Sequence, residues 1–127
     1  MSRPATRDLT ERELEVMHVF WAGHELTAQE ARDRLEESGR ELTYPTVANL
    51  VRALEDKGFL KQLNDERPFR YAAARSYEDV SGRLLTDMVT KVFHGSREAL
   101  FVRLLDGRKL TPTERELLES LLKEQGR

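Results

Sequence analysis

The segment from Leu42 to Leu60, LTYPTVANLVRALEDKGFL, leaves its backbone few choices. Thr43 is a natural N-cap, because its hydroxyl can accept from a free backbone N–H of a first helical turn. Pro45 falls in that turn, where a missing N–H costs nothing. Gly58, just past Lys57, is the residue type wanted at a left-handed C-cap. Between these signals Val47, Leu50, Val51 and Leu54 recur at i, i+3, i+4 and i+7, which predicts a helix with one apolar stripe facing a core. Its other side carries Tyr44, Thr46, Asn49, Arg52 and Ala53. Such a face suits a DNA major groove, where base edges are read by amide or guanidinium groups on a helix narrow enough to enter.

Many amphipathic helices have a solvated polar side, so the residues after Gly58 carry the next part of the argument. Phe59–Leu63 reads as a short strand, Asn64–Pro68 as a turn and Phe69–Ala73 as a second strand. Turn residues between two runs of apolar and aromatic residues predict a hairpin. A helix running into a basic-tipped hairpin is how a winged helix-turn-helix ends, with Arg67 near the wing tip and Arg70 on the strand behind it. Upstream, Thr10-Glu-Arg-Glu13 and Thr27-Ala-Gln-Glu30 are capping boxes that open two further helices. Gly23 and Gly39 close them, and Glu25-Leu26 between them can add a short strand to the wing. The expected first domain spans residues 1–75.

Residues 76–127 read as three more helices. Ser76 caps one reaching about Phe93, His94-Gly95 breaks it, Ser96 caps a short one, and Thr111-Pro112 opens the last. Val80, Leu84, Leu85, Met88 and Val92, then Leu100, Phe101 and Leu104, then Leu117 and Leu121 supply more apolar surface than about fifty residues can bury alone. A helix apolar on nearly all sides is not left in water. A homodimer with these residues at its seam is the expected solution, since two-fold symmetry also sets two recognition helices on successive major grooves. The fold class is thus mainly α with a small β-wing: an N-terminal winged helix-turn-helix domain plus a C-terminal helical dimerisation region.

Composition removes whole classes of function. With 127 residues there is no room for a large enzyme core. No cysteine is present, which excludes disulfides, thiolate metal sites and cysteine catalysis. His18, His24 and His94 lack metal-site spacing, and the glycines stand singly rather than in a phosphate loop. No convergent catalytic set is evident, so neither an enzyme nor a cofactor is expected. No apolar run reaches membrane-span length and the first residues show no secretory h-region, which makes the cytoplasm the expected location. The net charge of −2 is not that of a basic protein, but its distribution is uneven. Between Arg40 and Arg75 the bases Arg40, Arg52, Lys57, Lys61, Arg67, Arg70 and Arg75 outnumber the acids Glu41, Glu55, Asp56, Asp65 and Glu66, and Arg3 with Arg7 adds a short basic arm.

Leu9–Met17 (LTERELEVM) followed by Trp21, Thr46-Val47 through Leu54, Lys57-Gly58, Arg67 with Tyr71, and Gly95–Leu100 (GSREAL) form an ordered set. From about Leu9 to Lys123 this set resembles the penicillinase and methicillin-resistance repressors of the BlaI/MecI/CopY family. The resemblance implies a homodimeric winged-helix repressor on a palindromic double-stranded DNA operator. It places Thr43, Tyr44, Thr46, Asn49 and Arg52 on the recognition helix and Arg67 and Arg70 on the wing. Thr46, Asn49 and Arg52 are expected to read bases, and Thr43, Tyr44, Arg67 and Arg70 to hold phosphates. The family's antibiotic-resistance members answer to a membrane-bound sensor with a zinc peptidase domain, so a membrane metallopeptidase is a candidate partner. Those members are cut at an Asn-Phe bond, whereas Asn49 and Asn64 are the two asparagines here and neither precedes phenylalanine. The copper-responsive relatives use C-terminal cysteines, which this chain lacks.

Two other readings compete. One is a winged helix that binds protein through its helix-and-wing surface, for which slight acidity is natural. The other is a ligand-responsive regulator of a MarR- or PadR-like family. Those build dimers from helices at both termini, whereas here the first capping box starts at Thr10.

Overall fold

The computed structural model describes residues 9–107 and 109–126, which leaves the basic arm at Arg3 and Arg7 outside the described residues. The element order is α1 (Glu11–Gly23), β1 (Glu25–Thr27), α2 (Ala28–Glu37), α3 (Tyr44–Asp56), β2 (Leu60–Gln62), β3 (Arg70–Ala73), α4 (Tyr77–Val92), α5 (Arg97–Leu105) and α6 (Pro112–Gln125). The chain is mainly α with a small three-stranded antiparallel sheet of order β1-β3-β2. The fold class expected from the sequence is the one observed.

Helix starts follow local chemistry. The Thr10 hydroxyl accepts from the Glu13 N–H at 3.1 Å, and Glu13 Oε1 accepts from the Thr10 N–H at 2.9 Å. Thr27 and Glu30 repeat the exchange at the head of α2, and Thr111 with Glu114 at the head of α6. Each box satisfies two backbone donors that a helix N-terminus would otherwise leave bare. Helix α3 ends in a Schellman motif. Gly58 takes φ 89°, its N–H bonds to the Glu55 carbonyl at 3.0 Å, and the Phe59 N–H bonds to the Leu54 carbonyl at 2.9 Å. This bond draws Phe59 out of the strand expected at Phe59–Leu63 and points the chain into the core.

The sheet is short. Leu26 lies opposite Tyr71 on one side of β3, and Gln62 lies opposite Tyr71 on the other. Beyond the formal strands, the Leu63 N–H reaches the Arg70 carbonyl at 2.7 Å and the Ala74 N–H reaches the Phe59 carbonyl at 2.8 Å. The wing is thereby clamped at both its tip and its root.

Two compact units divide after Leu85, within α4. The first encloses a core of Val16, Met17 and Phe20 from α1, Ala31 and Leu35 from α2, Val47, Val51 and Leu54 from α3, and Leu26, Phe59, Leu60 and Val80. Each such side chain contributes about 1.5–3 kcal/mol when fully buried. Val80, expected at a dimer seam, is instead sealed in this core with no exposed surface. Leu84 packs at its margin. The second unit presents the opposite picture. No described side chain of α5 or α6 is buried, and Met88, Val92, Phe101, Leu104, Leu117 and Leu121 all stand in solvent, as does Leu85 at the end of the first unit.

Candidate nucleic-acid interface

In the first unit, α3 and the wing form two sides of one concave face. A groove of 630 Å³ runs between them, with Tyr44 and Arg52 from α3, Arg67 and Phe69 from the wing, and Tyr71 from β3 among its lining residues. Helix α3 reaches this position because Val47, Val51 and Leu54 are drawn into the core, which turns the opposite face outward. Tyr44, Asn49 and Arg52 are exposed there and Thr46 is half-buried. The Thr43 hydroxyl is engaged at the helix start, accepting from the Thr46 N–H at 3.3 Å and lying 3.0 Å from the Thr46 hydroxyl.

The two wing arginines differ in surroundings. Arg67 stacks its guanidinium over the Phe69 ring at 4.9 Å and has no carboxylate partner among the described residues. Arg70 is already occupied: its Nε donates to Glu25 Oε2 at 2.8 Å, one Nη donates to the Glu25 carbonyl at 3.2 Å, and Glu30 Oε1 lies 3.6 Å away. Those contacts tie β3 to β1 and to the head of α2. Arg52 donates to the Asn49 amide oxygen at 3.4 Å and has no carboxylate partner among the described residues. Among the described residues two cations without a paired acid therefore flank one groove, which is how a surface prepares for an anionic chain.

Sequence reasoning passed over several groove residues. Glu55 lies one turn beyond Arg52, a spacing that could have flagged it. Gln29, Gln62 and Tyr71 join the lining from α2, β2 and β3, so their placement depends on how the sheet and helices meet. Burial, followed by the nearby Glu55 carboxylate, raises the Tyr71 pKa above its ordinary value.

Behind this face, two long-range contacts hold the scaffold. Glu13 is buried, and Lys57 Nζ donates to both its carboxylate oxygens at 2.8 and 2.9 Å, fastening the C-terminal end of α3 to α1. The Trp21 indole N–H donates to the Arg75 carbonyl at 2.9 Å, and its ring meets those of His18 and Tyr77 at centroid separations of 5.2 Å. Among the described residues no cluster of histidines and carboxylates could hold a metal ion, and no helix is long and apolar enough to cross a membrane.

The profile of the penicillinase repressor family matches residues 9–124. The chain belongs to this family. It is similar to the methicillin resistance regulatory protein MecI of Mammaliicoccus sciuri, with 23% identity over 92% of this chain and 94% of that protein. It is similar also to the transcriptional regulator BlaI of Mycobacterium tuberculosis (strain CDC 1551 / Oshkosh), with 28% identity over 77% of this chain and 72% of that protein. Among solved structures it resembles a complex of hsRosR-S1, with a TM-score of 0.58 and 18% identity over 97% of this chain and 96% of that one. Oxidized MarR from E. coli gives a TM-score of 0.50 and 17% identity over 95% and 78%. At these identities the structural likeness is one of fold. Family membership makes this chain a DNA-binding transcriptional regulator of the repressor class, not an enzyme.

Proposed function

We propose that this member of the penicillinase repressor family acts in the cytoplasm as a homodimer on a palindromic operator. Helix α3 enters the major groove and the wing lies along the backbone. The observation that carries this reading is the shared concave face, where exposed Asn49 and Arg52 stand beside an Arg67 that has no carboxylate partner among the described residues. Thr46, Asn49 and Arg52 read base edges, while Thr43, Tyr44 and Arg67 hold phosphates. Arg70 would join them only by loosening its hold on Glu25, so its share of the phosphate contact is small. The dimer is supported by the exposed leucines of α5 and α6 and Phe101 of α5, together with Leu85, Met88 and Val92 of α4. Residues 1–75 then serve as the DNA-binding domain and 76–127 as the dimerisation region. A membrane sensor with a metallopeptidase domain stays a candidate upstream partner; with no Asn-Phe bond in the sequence, release is by proteolysis at another bond or by a ligand.

Footprinting on the DNA upstream of the chain's own coding region tests this reading. Protection of an inverted repeat by one dimer, with affinity falling steeply as salt rises, is the expected result. Replacing Arg52 with Ala should cost about 1–3 kcal/mol and relax base preference at one position in each half-site. Uniform weakening on all sequences would move Arg52 from base reading to phosphate holding. Absence of any shift at low salt and micromolar protein would favour a protein-binding winged helix instead.

A further inference from the structure

Tyr71, which with Arg67 helps carry the family resemblance, has a place in the groove that the residue pattern alone does not give it. Its ring packs against the first unit's core, and its phenol lies among Glu55, Arg52, Tyr44 and Arg67 in the groove between α3 and the wing. Among the described residues that hydroxyl has no hydrogen-bond partner. Its register opposite Leu26 and Gln62 fixes its backbone on the central strand of the sheet, and its side chain is partly buried against the core. This donor shares the groove with Arg52 and Arg67, neither of which has a carboxylate partner among the described residues, so the groove suits an anionic acceptor.

We propose that Tyr71 donates its phenolic hydrogen to a backbone phosphate of the operator, lodged in this groove with Arg67 supplying the charge. The assignment rests on the DNA-binding reading above and adds to it a neutral phosphate contact. Tyrosine hydroxyls are among the groups that bond phosphate oxygens and set register without reading sequence. Burial, followed by the Glu55 carboxylate, raises the phenol's pKa above its ordinary value, which favours the protonated donor. Glu55 also bounds the seat, because a phosphate cannot approach that carboxylate closely. The phosphate is thereby confined to the side of Tyr44 and Arg67.

The test is a titration of wild type, Tyr71→Phe, Arg67→Ala and Glu55→Gln against an upstream duplex and a random duplex at several salt concentrations. Tyr71→Phe should bind both duplexes about a hundredfold more weakly, because a dimer loses two hydrogen bonds to charged oxygens at about tenfold each. The slope of log affinity against log salt should not change, because a hydroxyl displaces no counterion. Arg67→Ala should reduce that slope by about two, one for each protomer of the dimer. Glu55→Gln should bind both duplexes more tightly. The melting temperature of Tyr71→Phe should equal that of wild type, since the hydroxyl holds nothing in the fold. Unchanged affinity of Tyr71→Phe, a loss confined to one sequence, or a matching drop in melting temperature would each overturn the proposal. Wild-type protein that binds neither duplex would defeat the DNA reading itself. Wild-type binding with an indifferent Tyr71→Phe defeats this assignment alone.

Discussion

The two units spend the same apolar alphabet in opposite ways. Up to Leu85, helices of ten to sixteen residues enclose Phe20, Met17, Val47, Leu54 and Phe59 almost completely. From Thr86 onward, Phe101, Val102, Leu104, Leu117 and Leu122 each keep more than half of their surface exposed. Helix propensity and capping do not separate the two, since α6 is capped as well as α1. What separates them is the sheet and the crossing of three helices in the first unit, which give every apolar stripe something in the same chain to face. A chain segment that cannot do this is stable only when another surface covers it. A strong helix signal therefore says nothing about whether a fold is self-sufficient.

Four measurements put that contrast at risk. The first unit should respond most strongly. Phe59→Ala removes a fully buried ring and should destabilise it by about 3–5 kcal/mol. In urea titrations the loss should be the same at any protein concentration, because this core is internal. Leu104→Asp combined with Leu121→Asp probes the second unit. If these leucines meet a second copy, the pair should remove about 3 kcal/mol or more from association, read by sedimentation as a shift from dimer to monomer and by melting curves that no longer depend on concentration. A dimer that survives both aspartates would refute the seam drawn here.

Glu13→Ala should cost about 2 kcal/mol, because it strips Lys57 of both these carboxylate acceptors and Thr10 of its reciprocal cap. Thermal melts check this, and a loss within error would mean that water replaces the carboxylate without penalty. The weakest response belongs to Asp79 at the start of α4. Hydrogen bonding from Arg83, assisted by Arg75, holds its carboxyl below the ordinary carboxylate value. A group with a depressed folded pKa stabilises above its unfolded pKa and loses that contribution as pH falls through its folded one. An NMR titration should therefore place Asp79 below a free aspartate. Titration at or above the free value would mean that the arginine contacts do not persist in solution.

Most of the candidate interface was legible because it is local. Thr43, Tyr44, Thr46, Asn49 and Arg52 follow from one capped helix with a single apolar stripe, and Arg67 follows from a turn between two short strands. The strand expected at Phe59–Leu63 came out shorter because the Schellman bond from Phe59 to Leu54 competes for its first residue. Val80 shares its helical spacing with Leu84 and Met88, and nothing in that spacing says that the core claims it while the solvent-facing stripe begins further along. The ion pair that occupies Arg70 joins residues 45 positions apart, a separation across which residue patterns carry no information.

Where helices start and stop, which faces are apolar, and the order of elements that makes a wing were all written in the order of residues. These depend on contacts three or four residues apart, between groups whose positions one turn of backbone already sets. Three outcomes came from the packed fold instead: Glu13 is buried against Lys57, Trp21 caps the Arg75 carbonyl, and Tyr71 lines one groove with Arg52 and Arg67. Each requires distant segments to meet, and which segments meet is settled by how a whole core closes.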